Sequence, residues 1–162
     1  RIQDMTVNGQ QPFRDALLIP PLAGANLGSM PHLSLVQTKR ILGKSALYTL
    51  QVAAYGRRDL LKPSDADLAE PRKAAEQAAV RLRQEGEQAF YYHGPRMSMV
   101  TIGIFDEADY DPQTPMLQSA RLRDARERHP HNLYNGAGIK EKKPGERDGR
   151  LQATSLVAVP EK

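Results

Sequence analysis

Three stretches contain residue types that could do chemistry, and each lacks part of the pattern it would need. His129 and His131 form the one close histidine pair, but the chain has no cysteine and the pair has no further ligands at zinc-site spacing. Asp106, Glu107, Asp109 and Asp111 could hold a cation, yet the glycine and final glutamate of a calcium loop are missing. These side chains are therefore predicted to be helix-end and loop polar groups, and no metal is expected.

Gly136-Ala-Gly138 is the nearest approach to a phosphate-binding loop. It lacks the third glycine and the preceding strand of a dinucleotide site. The chain also has no Gly-x-Ser-x-Gly elbow and no Gly-x-x-x-x-Gly-Lys-Ser/Thr loop. We therefore predict that the protein is not an enzyme and uses no cofactor.

The remaining candidates are large side chains that alternate along two predicted strands. Phe90 and Tyr92 fall on one face of a strand, and Met97 and Met99 fall on the same face of the next strand, just after Arg96. Four large apolar side chains are more than an open sheet normally exposes to water. Aromatic rings suit sugar stacking or an interface core, and methionines suit adaptable protein contacts. This face is expected to bind a ligand or a partner, or to be covered by the chain's own N-terminal arm.

The elements that position these side chains follow the order βαββαβ. Strands are predicted at 47–54, 88–93, 97–104 and 153–159, and helices near 70–85 and 115–128. This order is typical of an α+β fold, the ferredoxin-like sandwich, with an antiparallel sheet and both helices on one face.

Two segments fall outside that pattern. Residues 1–46 are predicted to be an extended arm in front of a domain at 47–160, which contains a long loop at 130–150. Pro20 and Pro21 prevent the apolar residues of the arm from forming one helix. Those residues, expected to contact the domain or a second copy of the chain in a homo-oligomer, are Phe13, Leu17, Leu18, Ile19 and Leu22.

Charge and hydropathy narrow the choice of partners. Residues 121–150 hold nine Lys and Arg against five acids, which equals the net charge of +4 and indicates either a solvated polar surface or an anionic partner. RNA-binding domains of βαββαβ order stack bases on aromatics in strand three, where this chain has Met97, Met99 and Thr101, so nucleic acid is not expected as a partner. No apolar run reaches the roughly 18 residues of a membrane span, so no transmembrane segment is predicted.

Residues 47 to 105 contain four sequence motifs in a definite order. They consist of Tyr48, Gln51 and Val52; Ala75, Ala78, Leu82 and Gly86; Ala89 and Tyr91; and Val100, Ile102, Gly103 and Phe105. The last motif has the pattern hydrophobic-x-hydrophobic-Gly-x-Phe. In these motifs and their order, the chain from about 47 to 159 resembles the SPOR domain family of cell-envelope proteins. The match is by motif from 47 to 105 and by topology alone from 113 to 159.

The resemblance implies a non-catalytic module of the cell envelope or periplasm that binds peptidoglycan glycan strands on its open sheet face. Gln51 is the best-matched ligand residue, and Met97 and Met99, with Arg96 just before them, occupy the places of the family's aromatic and basic residues at the start of strand three. With Phe90 and Tyr92, these residues form the predicted site for a glycan or for another envelope protein. The alternative is a structural or assembly protein that uses the arm and the apolar sheet face for protein contacts.

Overall fold

The structure, a computed structural model, describes residues 26–161, which form an α+β fold with three α-helices and a mixed sheet. The α+β class predicted from the sequence is confirmed. The helices are α1 (Leu35–Leu42), α2 (Asp65–Gln84) and α3 (Ala120–Arg128). The strands are β1 (Tyr48–Gly56), β2 (Ala89–His93), β3 (Met97–Phe105), β4 (Leu133–Tyr134), β5 (Ala137–Gly138), β6 (Lys140–Glu141), β7 (Arg150–Leu151) and β8 (Ser155–Ala158).

Helix α2 begins earlier than its apolar face suggests because of a capping box. The Ser64 hydroxyl accepts a hydrogen bond from the Asp67 backbone N–H, and the Asp67 carboxylate accepts one from the Ser64 N–H at 2.8 Å. These bonds satisfy N–H groups that a helix start otherwise leaves without partners. Pro71 therefore lies inside the helix rather than at its start.

The sheet has the strand order β2-β3-β1, and two further strands share the outer edge of β1. The first half of β1 pairs with β8 in the antiparallel direction, from Tyr48 opposite Ala158 to Gln51 opposite Ser155. Its second half pairs with β4 in the parallel direction. The four strands predicted from the sequence pair in the antiparallel direction. The prediction of a wholly antiparallel sheet is wrong, because part of the predicted 130–150 loop forms the β4–β5 hairpin and joins the sheet. Strands β6 and β7 form a separate two-stranded ribbon.

A bulge in β3 sets which side chains face which layer. Gly103 has φ +71°, a conformation that favours glycine, and the pairing with β1 shifts register at this point. Phe105 consequently packs with Val100 and Ile102, whereas Ile104 points to the other face. A second shift after Gln51 brings Ala53 into the first of these layers.

The main core lies between the sheet and helices α2 and α3. Ala75 and Ala79 of α2 and Leu122 of α3 are fully buried in one cluster with Leu50 and Tyr91 of the sheet. The alanines of α2 let the helix axis approach the sheet closely, as the narrow apolar face of that helix indicates.

The opposite face of the sheet has a smaller core under α1. Leu35, at 0 % exposure, and Ala46 pack with Phe90 and Ile104 there. Residues 31–45 are thus helical, as α1 and two flanking 3-10 turns, and this corrects the prediction that the whole of 1–46 is an extended arm. The predicted arm contacts Phe13, Leu17, Leu18, Ile19 and Leu22 lie outside the described residues.

Candidate functional site

Five of the six residues predicted for the binding face line one shallow pocket. Gln51 of β1, Tyr92 of β2, Arg96 of the β2–β3 turn, and Met97 and Met99 of β3 surround it together with Gly94 and Pro95. The cavity volume is about 240 Å³. Most of its wall is apolar, and Gln51 and Arg96 supply the polar groups. We call this surface the sheet-face pocket.

Strand register explains why these residues meet. Ala54 lies opposite Met99, which in turn lies opposite Tyr92, so the three form one row across β1, β3 and β2. Gln51 begins the neighbouring row, opposite Thr101. Side chains in such rows share one face of a sheet and lie close enough to touch.

The sixth residue, Phe90, belongs to the core beneath α1. Its side chain is 4 % exposed, and the guanidinium of Arg83 lies 4.8 Å from its ring centroid. This burial removes Phe90 from the surface that a ligand reaches. Tyr92 and Met99 are half-buried and pack against the same core, whereas Met97 is 45 % exposed. Helix α1 therefore covers part of the predicted open face and leaves the sheet-face pocket beside it.

A buried polar cluster on the other side of the sheet escaped the sequence analysis. His93 Nε2 lies 2.9 Å from Glu76 Oε1, and His93 Nδ1 lies 2.7 Å from Ser98 Oγ. Hydrogen bonds from Ser29 and His93 lower the pKa of Glu76, although its burial acts in the opposite direction. Because an ionised carboxylate can only accept, His93 Nε2 carries the proton, and Nδ1 of the neutral ring accepts from the Ser98 hydroxyl.

This serine–histidine–acid group is not built for nucleophilic catalysis. Ser98 is 1 % exposed and the His93 side chain is fully buried, so no substrate reaches the hydroxyl. Burial lowers the pKa of His93, and the neighbouring Glu76 carboxylate only partly opposes this shift. A ring that stays neutral and enclosed suits a structural hydrogen-bond network.

The cluster anchors the segment that precedes α1. Glu76 accepts hydrogen bonds from the backbone N–H of Ser29 at 3.0 Å and from the Ser29 hydroxyl. The Tyr91 hydroxyl donates to Leu27 O at 2.6 Å and accepts from Met30 N at 3.1 Å, and burial raises its pKa to about 12. Gly28 lies between Glu76 and Tyr91, where a larger residue would not fit, because a Cβ at this position would be 2.6 Å from the Tyr91 hydroxyl.

Two signals in the sequence could have indicated this cluster. Glu76 follows Ala75 on the apolar side of α2, where an acid has to find buried partners. His93 and Ser98 share strand parity with the core residues Tyr91 and Val100. The pairing itself needs a helix and two strands to meet, so spacing along the chain does not reveal it.

Further kinds of site are absent from the part of the chain that the structure describes. Between residues 26 and 161, no group of three or more His, Asp or Glu side chains is placed to hold a metal ion. In the same range, none of the helices combines the length and apolar character that crossing a bilayer requires.

Comparison of the chain with protein-family models, with curated proteins and with solved structures finds no match. The resemblance to SPOR domains therefore stays a prediction from the sequence motifs. The sheet-face pocket and the topology around it are the features that bear on function.

Proposed function

We propose that this protein is a non-catalytic binding module of the cell envelope that holds a peptidoglycan glycan strand, or a similar oligosaccharide, in its sheet-face pocket. The observation that carries the proposal is the convergence of Gln51, Tyr92, Arg96, Met97 and Met99. These residues come from three separate strands and a turn, and they line one cavity.

The strand order supports the comparison with SPOR domains. We interpret the chain order β1-α2-β2-β3-α3-β8 and the sheet order β2-β3-β1-β8 as a ferredoxin-like sandwich. On this proposal, strands β4 to β7 are an insertion between α3 and β8, and α1 is an addition in front of β1. Neither of them interrupts the three strands that build the pocket.

The chemistry of the pocket suits a sugar chain. Tyr92 and Met99 offer apolar surface to the carbon face of a pyranose ring, and packing against the core under α1 holds both in place. The Gln51 amide can both donate to and accept from hydroxyl groups. A few polar groups on a mainly apolar floor are what a small-molecule site requires for orientation and specificity.

The proposal is tested by pull-down with purified cell-wall sacculi. Gln51→Lys replaces the amide with a flexible cation, and we expect it to reduce the bound fraction by about tenfold, the equivalent of one lost polar contact. Gln77→Lys is the matched control, because Gln77 is an exposed residue of α2, on the far side of the sheet. Equal retention of the two variants, or no retention of the wild type, would contradict glycan binding.

A protein partner is the second candidate, and the exposure of Met97 favours it. A methionine that is 45 % exposed beside Tyr92 and Met99 forms an apolar patch that a second copy or another envelope protein could cover. Met97→Asp would then dissociate the complex, which light scattering detects as a lower solution mass. A wild-type mass equal to one chain at all concentrations would rule out the homo-oligomer.

A further inference from the structure

The sheet-face pocket continues into a groove lined by arginines. Arg96 and Met97 line the pocket and also a neighbouring depression of about 440 Å³, whose wall includes Arg57, Arg58 and Tyr134. A third depression, of about 500 Å³, shares those last three residues and reaches the β4–β5 hairpin. We call the surface formed by Arg57, Arg58, Arg96 and Tyr134 the basic groove.

The groove carries excess positive charge. Arg57 donates two hydrogen bonds to the Asp59 carboxylate, at 2.9 and 2.6 Å, so its charge is already paired. Arg58 and Arg96 are exposed, and neither forms an ion pair with any residue between 26 and 161. The Asp59 carboxylate also lines this surface but is paired with Arg57, so the charges of Arg58 and Arg96 are not neutralised by an ion pair within the described residues.

One of these arginines is held in place by the inserted hairpin. The Arg58 guanidinium carbon lies 4.1 Å from the centroid of the Tyr134 ring. Tyr134 is fixed in turn by two hydrogen bonds between Asn135 and Gly56, from Gly56 N at 3.0 Å and to Gly56 O at 3.1 Å. Stacking occupies the face of the guanidinium and leaves its N–H edges free to donate.

We propose that the basic groove is an extension of the glycan site and that the bound oligosaccharide carries carboxylate groups. This inference rests on the proposed function and adds the chemical class of the ligand. A planar guanidinium matches a carboxylate through two parallel N–H···O bonds. The continuity from Gln51 past Arg96 to Arg58 lets a linear chain lie with sugar rings on the sheet-face pocket and an acidic substituent against the arginines.

The experiment compares two hexasaccharides against the full chain by titration calorimetry. One is neutral, the hexamer of N-acetylglucosamine, and the other is the hyaluronan hexamer, in which every second sugar carries a carboxylate. We expect the acidic hexamer to bind on the order of tenfold more tightly and to lose that advantage in high salt. The double variant Arg58→Gln/Arg96→Gln should abolish the difference, and Arg58→Gln alone, at a residue outside the sheet-face pocket, should reduce the difference while keeping the affinity for the neutral hexamer.

Control variants separate the specific role of the two arginines from net charge and from folding. Arg123→Gln removes one charge from α3, behind the sheet, where Arg123 is exposed, and it should keep the preference. Arg58→Lys/Arg96→Lys keeps the charge but loses the planar guanidinium that can form two parallel hydrogen bonds. This variant should therefore retain only part of the preference for the acidic hexamer. Unchanged thermal midpoints show that the variants are folded.

The possible outcomes distinguish this inference from the proposed function. Equal binding of the two hexamers, unaffected by the double variant, overturns the carboxylate preference and leaves glycan binding intact. Failure of both hexamers to bind overturns both proposals. Tighter binding of a single-stranded oligonucleotide of equal charge would reassign the basic groove to nucleic acid.

Discussion

At the residue scale, the most informative group is Glu76 with its partners Ser29 and His93. The Glu76 carboxylate accepts three hydrogen bonds from these two residues, and its side chain is 11 % exposed. Glu76→Gln removes the charge, and it places the amide NH2 group, which is a donor, against one of the groups that donate to the carboxylate. Because a hydrogen bond to a buried charged group contributes about 1.5–3 kcal/mol, we expect Glu76→Gln to lower the free energy of unfolding by about that amount in urea titration. A loss no larger than that of an exposed control, Glu107→Gln, would contradict this role.

The same cluster predicts how stability depends on pH. The folded state lowers the pKa of His93 from 6.5 and that of Glu76 from 4.5, so the folded protein binds fewer protons than the unfolded chain below these values. The contribution of these two groups to stability is therefore fully present above pH 6.5, and it decreases at lower pH as His93 and then Glu76 take up protons. Urea unfolding from about pH 8 to pH 4 measures this, and His93→Gln should remove the first step. His131→Gln, at an exposed histidine, should keep it.

At the element scale, the bulge at Gly103 determines which of the two cores the side chains at the end of β3 contact. A Cβ at this position would lie 2.6 Å from Cζ of Phe105, and the backbone has φ +71°. Left-handed strain and overpacking each cost about 1–3 kcal/mol, so Gly103→Val should destabilise the fold by about 2–6 kcal/mol. Gly145→Val is the matched control, because Gly145 has φ +90° with nothing within 4 Å of its Cβ position, and it isolates the backbone contribution. Equal unfolding free energies for the two variants would show that Phe105 does not depend on the bulge.

Elements with local signals were predictable from the sequence, and those that depend on distant contacts were not. Strands β1, β2 and β3 alternate in hydropathy, so the sequence predicts each of them to within two residues. The apolar face of α2 predicts the helix but places its start near residue 70, whereas it begins at Asp65. Helix α3 begins at Ala120 rather than near 115, because Ser119 caps it and accepts a hydrogen bond from Leu122 N. Strand β4 has two residues and no alternation, and its parallel pairing depends on contacts between Asn135 and Gly56 across 79 positions.

The candidate site likewise has parts that the sequence predicts and parts that it does not. That the strand residues of the pocket share one face is predictable, because strand parity is a local property that holds wherever the strands lie. The burial of Phe90 is not predictable in this way, because an eight-residue helix such as α1 is only marginally stable alone and forms by packing on the sheet. Nor is the basic groove, because Tyr134 reaches Arg58 only through the β4–β5 hairpin.

At the scale of the whole molecule, α1 turns a two-layer sandwich into a sheet with a core on each face. Leu35 of α1 is 0 % exposed against Phe90, whereas Ile41 of the same helix is 57 % exposed. Tyr92 and Met99, which line the sheet-face pocket, pack against that second core. The pocket therefore depends on α1 although no residue of α1 lines it.

A pair of alanine substitutions on α1 tests this dependence. Leu35→Ala leaves a cavity in the second core and should cost about 2–5 kcal/mol in the free energy of unfolding. Ile41→Ala changes the helix propensity in the same direction but removes a side chain that is largely exposed. Its free energy of unfolding should therefore stay within about 0.5 kcal/mol of the wild-type value. Since Tyr92 and Met99 lose support only in the first variant, sacculus binding should weaken for Leu35→Ala and stay at the wild-type level for Ile41→Ala. Equal stability of the two variants would mean that α1 only rests on the sheet, and a Leu35→Ala protein that binds normally would show that the pocket is formed by the strands alone.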